Sequence, residues 1–436
     1  MDNIDNIDNI DNINSINNFS STNTKKKNVE LLSPARDLSG LITAYNNGAD
    51  AVYCGLKELS MRATTKNFER DELVQGVKIA RENDKKVYLC TNTVLYENDL
   101  QKALEILDFA KSAEVDAVIV SDLGLMQEAK EMGLEVHVSV QNNITNSLSA
   151  KFFSKFADRV VLSRELSLNQ IKEIKNNLNS QKVNLELEGF VHGALCVAMS
   201  GRCFLSSYLF NRHANCGDCL QPCRRSWKLV NEHSDGTHEL ICEGKYILSP
   251  KDLCTIEHVP ELMDVFDCFK IEGRAKNLDY VMKTTKIYRE AIDSTYNGNY
   301  LEKIPYFLKE LQKIYNREYD TGFYFRNTCN SVHDLQYEIE GNASPYRKIE
   351  AGKVVNYYKK VGVAEINLTN DIENDDELII TGETTGCVEQ VVNSMQIDGK
   401  IVEKALKGQN VGLKIDNLVR ENDRVFLLKK EHNKEI

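Results

Sequence analysis

The 436-residue sequence has no run of 18 apolar residues, so no transmembrane helix is expected. Its opening stretch, MDNIDNIDNIDNINSINNF, has neither a basic region nor a continuous apolar core, and so does not read as a secretory signal. The triplet repeat of Asp, Asn and Ile reads instead as a disordered tail over residues 1–27. Positive charge is scarce: 54 Lys and Arg face 65 Asp and Glu, a net −11. That argues against generic electrostatic binding to nucleic acid but leaves room for a local basic site. Three catalytic signatures are missing. His238-Glu239 is followed at the fifth position by Cys242, so the zinc-protease pattern H-E-x-x-H is not met, and no G-x-S-x-G elbow occurs. No glycine-rich dinucleotide turn follows the first apolar run. The chain is expected to be cytoplasmic, where thiols stay reduced and clustered cysteines argue for metal or catalysis before disulfides.

What is present is an alternation. Short apolar runs at 31–35, 51–55, 86–93, 117–122, 135–141, 159–164, 185–193 and 268–274 are nearly continuous in Val, Ile and Leu, as strands buried on both faces should be. Between them lie amphipathic segments such as DELVQGVKIARENDK and DLQKALEILDFAKSA. Asp37 is placed to cap a helix that ends near Gly48. Eight strands alternating with helices predict an α/β fold, a (β/α)8 TIM-like barrel over residues 28–330, with an open doubly wound sheet as the runner-up. In such barrels function sits at the C-terminal strand ends. Those ends read Pro34, Asn92, Asp122, Gln141, Arg164 with Glu165, Glu188 with His192, and Glu272 with Arg274. The connection between the seventh and eighth strands is far longer than a loop and helix need, so 194–250 is an insertion, with two strands around an Asp-Gly turn at its end. Residues 340–436 read as a small all-β barrel domain. Within it, PYRKIEAGKVVNYYKK is either a nucleic-acid face or an edge strand with solvated lysines.

The insertion carries the chemistry. CVAMSGRCFLSSYLFNRHANCGDCLQPCRR places Cys196, Cys203, Cys216, Cys219 and Cys223 within 28 positions. Arg202, Arg212, Arg224, Arg225 and Lys228 stand there against a single acid, Asp218. Cys216, Cys219 and Cys223 overlap into one zinc knuckle where zinc usually takes two, whereas an iron–sulfur cluster accepts looser spacing. The best-spaced four are Cys196, Cys203, Cys219 and Cys223, with Cys216 and Cys254 as substitutes. Zinc and unligated thiols stay open as lesser alternatives. Cys54, Cys90, Cys268, Cys329 and Cys387 read as buried small hydrophobes.

Residues 186–207, ELEGFVHGALCVAMSGRCFLSS, carry Glu188, Phe190, Gly193, Ala194, Cys196, Gly201, Cys203 and Ser206 in the pattern that marks the collagenase-like peptidase family U32, and the chain resembles that family over residues 30–330. LLSPARDLSGLITAYNNGADAVYCG, VSVQNNITN, VVLSREL, NCGDCLQPCR, FKIEGRAKNLDYV and NREYDTGFY are similar as well, and the β-rich tail resembles the family's C-terminal domain. Arg36 departs from the usual glycine, and Cys216 stands where many members have Arg or Gln. The resemblance implies a 4Fe-4S cluster on Cys196, Cys203, Cys219 and Cys223. It also implies, for the branch with this layout, oxygen-independent 5-hydroxylation of the wobble uridine of tRNA with prephenate as oxygen donor. Glu188, His192, Arg164, Glu272 and Arg274 are then the expected catalytic set. Arg202, Arg212, Arg224 and Arg225 would meet the phosphates of the tRNA anticodon region. Arg164 and Arg274 would meet a small dicarboxylate donor, with Lys270 set aside because it lies within a strand. A peptidase, or a non-enzymatic RNA-binding protein with a structural metal site, are the alternatives.

Overall fold

Each of the eight apolar runs forms a parallel strand: β1 (Glu30–Pro34), β2 (Ala51–Cys54), β3 (Lys86–Thr91), β4 (Ala117–Val120), β5 (Val136–Val138), β6 (Arg159–Val161), β7 (Glu186–Ala194) and β8 (Cys268–Ile271). The computed structural model describes residues 28–59, 66–229, 242–245, 248–326 and 341–431. The strands pair in chain order, and β8 pairs with both β7 and β1, which closes the barrel. The doubly wound alternative is thereby excluded. The tail at 1–27 and the Asp-Gly turn lie outside the described residues. The strands expected on either side of that turn, Trp227–Leu229 and Cys242–Lys245, pair antiparallel.

One local device repeats around the barrel. Asp50, Asp116, Asp158 and Asp267 each stand one residue before an even-numbered strand. Their carboxylates accept the backbone N–H of Leu31, Val87, Val136 and Leu187 at 2.8, 2.7, 3.2 and 3.0 Å. Their own N–H groups donate back to the carbonyls of the same four residues. Each aspartate thus clamps an even strand to its odd predecessor and satisfies two backbone groups that a strand start would leave unpaired.

Helices α1 (Leu38–Asn46), α2 (Arg70–Glu82), α3 (Leu100–Ser112), α4 (Leu123–Glu131), α5 (Ser147–Phe153) and α6 (Leu168–Ser180) cover the outside. Their buried residues recur at helical spacing, as with Ala103, Ile106, Leu107 and Ala110 of α3. Asp37 caps α1 by accepting the Gly40 N–H at 2.8 Å. Gly48 follows the helix at φ +95°, where a Cβ would meet Arg289.

The insertion between β7 and β8 contains the short helix α7 (Leu205–Phe210) and a strand, Asp252–Cys254, that pairs antiparallel with the end of β7. After β8 comes the 20-residue helix α9 (Leu278–Asn297), preceded by the short α8 (Val259–Met263). Residues 346–430 form an eight-stranded antiparallel sheet with its own core. The basic, tyrosine-rich segment lies in its longest strand, Tyr346–Tyr358, whose first half pairs with Arg424–Lys430 and whose second half pairs with Val363–Leu368, so outside Gly352 and Lys353 each half has a ladder on one side. Two of its cations are engaged, Lys348 with Asp279 at 2.9 Å and Arg347 with Glu431 at 3.1 Å.

The barrel interior is charged at its N-terminal end. Arg159 bonds Glu30 and Glu186 at 2.7 Å each and reaches Glu188 at 3.4 Å. Glu188, fully buried, also accepts from Lys270 Nζ at 2.6 Å. Burial alone would raise the Glu188 carboxyl, but the Lys270 and Arg159 charges overcome it and hold it below the ordinary value. Glu30 is lowered in the same way, chiefly by Arg159. A carboxylate lowered on folding stabilises the fold above its unfolded value, near 4.5 here, and loses that contribution as pH falls through the folded value. Glu188→Gln leaves Lys270 and Arg159 short of a counter-charge, and we expect a loss of about 3–5 kcal/mol in urea unfolding at neutral pH. The deficit should shrink as pH falls below about 4.5; a constant deficit across that range would contradict it.

Candidate functional site

The C-terminal ends of the strands open into a cavity of about 1040 Å³, counting its mouth. Its floor is Tyr53, Phe190 and Lys270, and Cys90, Ile119 and Val161 give it an apolar wall. Asn92, at the end of β3, donates to Ser139 Oγ at 3.1 Å and Gln141 Oε1 at 3.2 Å, both just past β5, so two strand ends share one polar rim. The insertion forms the roof, and Cys196, Cys203, Cys219 and Cys223 all line it.

The four thiols are close enough to influence one another. Burial pushes the Cys223 thiol up to about 11, in spite of Arg224, and Cys196, Cys219 and Cys203 add to the rise. Two of the sulfurs are addressed by backbone donors: the Leu205 N–H lies 3.3 Å from Cys203 Sγ and the Gln221 N–H 3.4 Å from Cys219 Sγ. Hydrogen bonds to sulfur are among the contacts through which a protein tunes a bound iron–sulfur cluster. Among the described residues no three His, Cys, Asp or Glu side chains converge on the spacing of a single-ion site. Cys216 faces elsewhere, toward Tyr96 and Asp99. Cys254 is buried beside Tyr288, opposite His192 on the outer strand pair, and does not line the cavity.

The signature residues now have physical roles. Glu188 holds Lys270, and Phe190 is floor. Gly193 has φ +111°, and a Cβ there would lie 2.5 Å from the Glu272 carbonyl oxygen. Ser206 Oγ accepts the Leu220 N–H at 3.1 Å and ties α7 to the Cys219 turn.

The expected catalytic set is only partly brought together. Arg164, Glu272 and Arg274 line the cavity. Arg164 donates to the Ala194 carbonyl at 3.1 Å and stands over Phe190, and Arg274 stands over Tyr53. Glu188 is not at a strand end; it is the third residue of β7 and lies beneath the floor. His192 is not at the cavity either. The β7–β8 register skips between Lys270 and Ile271, a bulge that breaks the in–out alternation of β7 after Phe190. His192 therefore leaves the barrel interior and sits in a cage of Tyr280, Tyr288 and Tyr319, with ring centroids 5.8, 5.5 and 5.4 Å away. Burial, assisted by Lys276, lowers it to about 3, so it is neutral at physiological pH.

The basic residues also divide. Arg202 and Arg225 are exposed, Arg225 stands over the Phe210 ring, and Arg212 pairs with Asp218 at 2.6 Å. Arg224 is a staple: its guanidinium donates to Ser249 Oγ at 3.0 Å and to the carbonyls of Pro250 and Leu195, so it is not offered to an external phosphate. Lys270 is the residue that sequence reasoning set aside. Its position two before Glu272 and four before Arg274 was the available signal, since alternate residues of a strand share a face.

The model of Peptidase family U32 matches residues 36–334. The chain belongs to peptidase family U32. An uncharacterized protease of Methanocaldococcus jannaschii is 73% identical over 401 residues, covering 92% of this chain and 98% of that protein. A collagenase of Porphyromonas gingivalis is 37% identical over 408 residues, covering 91% and 97%. The tRNA hydroxylation protein P1 of Bacillus subtilis is 33% identical over 366 residues, covering 82% and 84%. U32 relatives of this chain thus carry both a proteolytic and a tRNA-modifying name. No helix among the described residues is long and apolar enough to cross a membrane.

The Arg224 staple generates a test. Arg224→Met should speed limited proteolysis within residues 196–226 at least several-fold, whereas Arg225→Met, which removes an exposed cation, should not. Equal cleavage rates in the two variants would refute the staple.

Proposed function

We propose that this U32 protein binds a 4Fe-4S cluster through Cys196, Cys203, Cys219 and Cys223 and 5-hydroxylates a wobble uridine in the tRNA anticodon loop. One observation carries the reading: of the five clustered cysteines, four open onto the cavity at the barrel's functional end and the fifth does not. Four thiols spread over one roof suit a cluster, whose ligands bind separate iron corners, better than a mononuclear zinc ion. When bound, the cluster would supply one-electron redox chemistry. The relatives named for tRNA hydroxylation support the same direction.

The chain's own residues do the rest. Lys270, Arg164 and Arg274 set three cations around a floor where Glu272 is the one acid, which suits a small dicarboxylate such as the proposed donor prephenate. Tyr53 and Phe190 offer ring faces to a planar base, and Asn92, Ser139 and Gln141 offer hydrogen bonds to its edge. A peptidase working through Cys196 and His192 is disfavoured, because His192 is walled off behind the strand pair and no histidine lines the cavity among the described residues.

Anaerobically purified protein should contain iron and sulfide, lost on Cys→Ser change at 196, 203, 219 or 223 and kept in Cys216→Ser. Mass spectrometry of tRNA nucleosides from a deletion strain should show loss of 5-hydroxyuridine, restored by the wild-type gene and not by Cys196→Ser. Iron-free protein together with an unchanged nucleoside profile would overturn the proposal.

A further inference from the structure

Two aromatic rings stand bare on the lip of the cavity. Phe204 is 77% exposed and Tyr208 87% exposed. They lie one turn apart at the start of α7, where the Tyr208 N–H donates to the Phe204 carbonyl at 2.8 Å. Residues four apart on a helix are neighbours on its surface, so the two rings form one patch. The patch is continuous with the cavity, because Cys203 and Leu205, on either side of Phe204, line it. Rings of this size are normally covered, and an exposed pair at the edge of a site marks a contact surface.

The surrounding charge says what the surface meets. Arg202 is exposed, and Arg225 stands 4.6 Å from the centroid of Phe210, the last residue of α7. The only acid between Cys196 and Trp227 is Asp218, which is occupied by Arg212. On a chain of net charge −11, this is a local positive field around exposed rings. Cations for phosphates beside rings for bases are the combination that holds single-stranded nucleic acid.

We propose that Phe204 and Tyr208 form a stacking platform for the unpaired nucleotides that flank the base entering the cavity, with Arg202 and Arg225 on their phosphates. The inference rests on the RNA reading above and adds to it a selection for unpaired strand. Stacking is open only to bases freed from a helix, whereas phosphate contacts do not distinguish loop from duplex.

The test is equilibrium binding by fluorescence anisotropy, using an RNA hairpin with an unpaired loop and a fully paired duplex with equal phosphates. Phe204→Ala and Tyr208→Ala should each weaken hairpin binding about five-fold or more, leaving duplex binding and the salt dependence unchanged. Tyr208→Phe should restore hairpin binding. Arg202→Gln should weaken both RNAs and lower the salt slope by about one. Equal losses on both RNAs, or no loss, overturn the platform. So does displacement of the hairpin by denatured collagen that the same alanine changes abolish, since the rings would then hold a polypeptide. Loop-selective binding alongside an unchanged nucleoside profile in the deletion strain would sink the hydroxylation reading and leave the platform standing. Normal binding by the ring variants, with 5-hydroxyuridine lost on deletion, would do the reverse.

Discussion

A carboxylate with no access to water, Glu188, stands between two cations inside the barrel, and the site above depends on that arrangement. Lys270 stands at the cavity floor with the Glu188 carboxylate 2.6 Å away on its buried side. Without that partner, an ammonium among Tyr53, Phe190 and the strand walls would be strongly disfavoured. Arg159 in turn shares its charge between Glu188 and the acids at the barrel's N-terminal end. The chain of ion pairs thus runs from Glu30 through Arg159 and Glu188 to Lys270 at the cavity floor. Glu188 touches the cavity only through Lys270, whose ammonium it holds in place.

The roof answers to a different constraint. Between residues 195 and 227 the buried apolar side chains are Leu195, Ala214 and Pro222, and α7 has a single buried residue, Ser206. The insertion is held by polar ties: Arg224 to the chain leaving β7 and to residues 249 and 250, Glu165 to the Ser200 N–H at 2.8 Å, and Asn215 to Val94 and Cys203. Such ties fix the backbone that carries the thiols while leaving the outer surface of the insertion bare. Gly193 and Ser206 of the family pattern serve this construction, since Gly193 makes room for a carbonyl and Ser206 bridges two turns.

Much of this was legible in the sequence. Strands buried on both faces leave continuous apolar runs, and all eight runs became strands of the barrel wall. The position of the insertion followed from connection length, and the four cavity cysteines from their spacing together with the family pattern. Cys216 was not separable by spacing, because only the fold turns it toward Tyr96 and Asp99. Glu188 and His192 were misplaced for different reasons: Glu188 lies inside the run 185–193 yet was counted among its end residues, whereas His192 is near the strand end but is turned out of the barrel by a bulge. A bulge has no reliable mark in a single sequence. Arg224 and Arg225 are adjacent and chemically identical, yet one is a staple and one is exposed, a difference that only long-range contacts create. The aspartate clamps, by contrast, were in plain view as an Asp before every second strand and went unread.

The ion pairs of Glu30, Arg159 and Glu186 occupy the far end of the barrel, away from the thiol-lined cavity. On the proposed function, the small ligand at Lys270 and the RNA resting across Phe204 and Tyr208 would share the thiol-lined end of the barrel. Shape would then set their order: the small ligand would have to arrive before the polymer and leave after it.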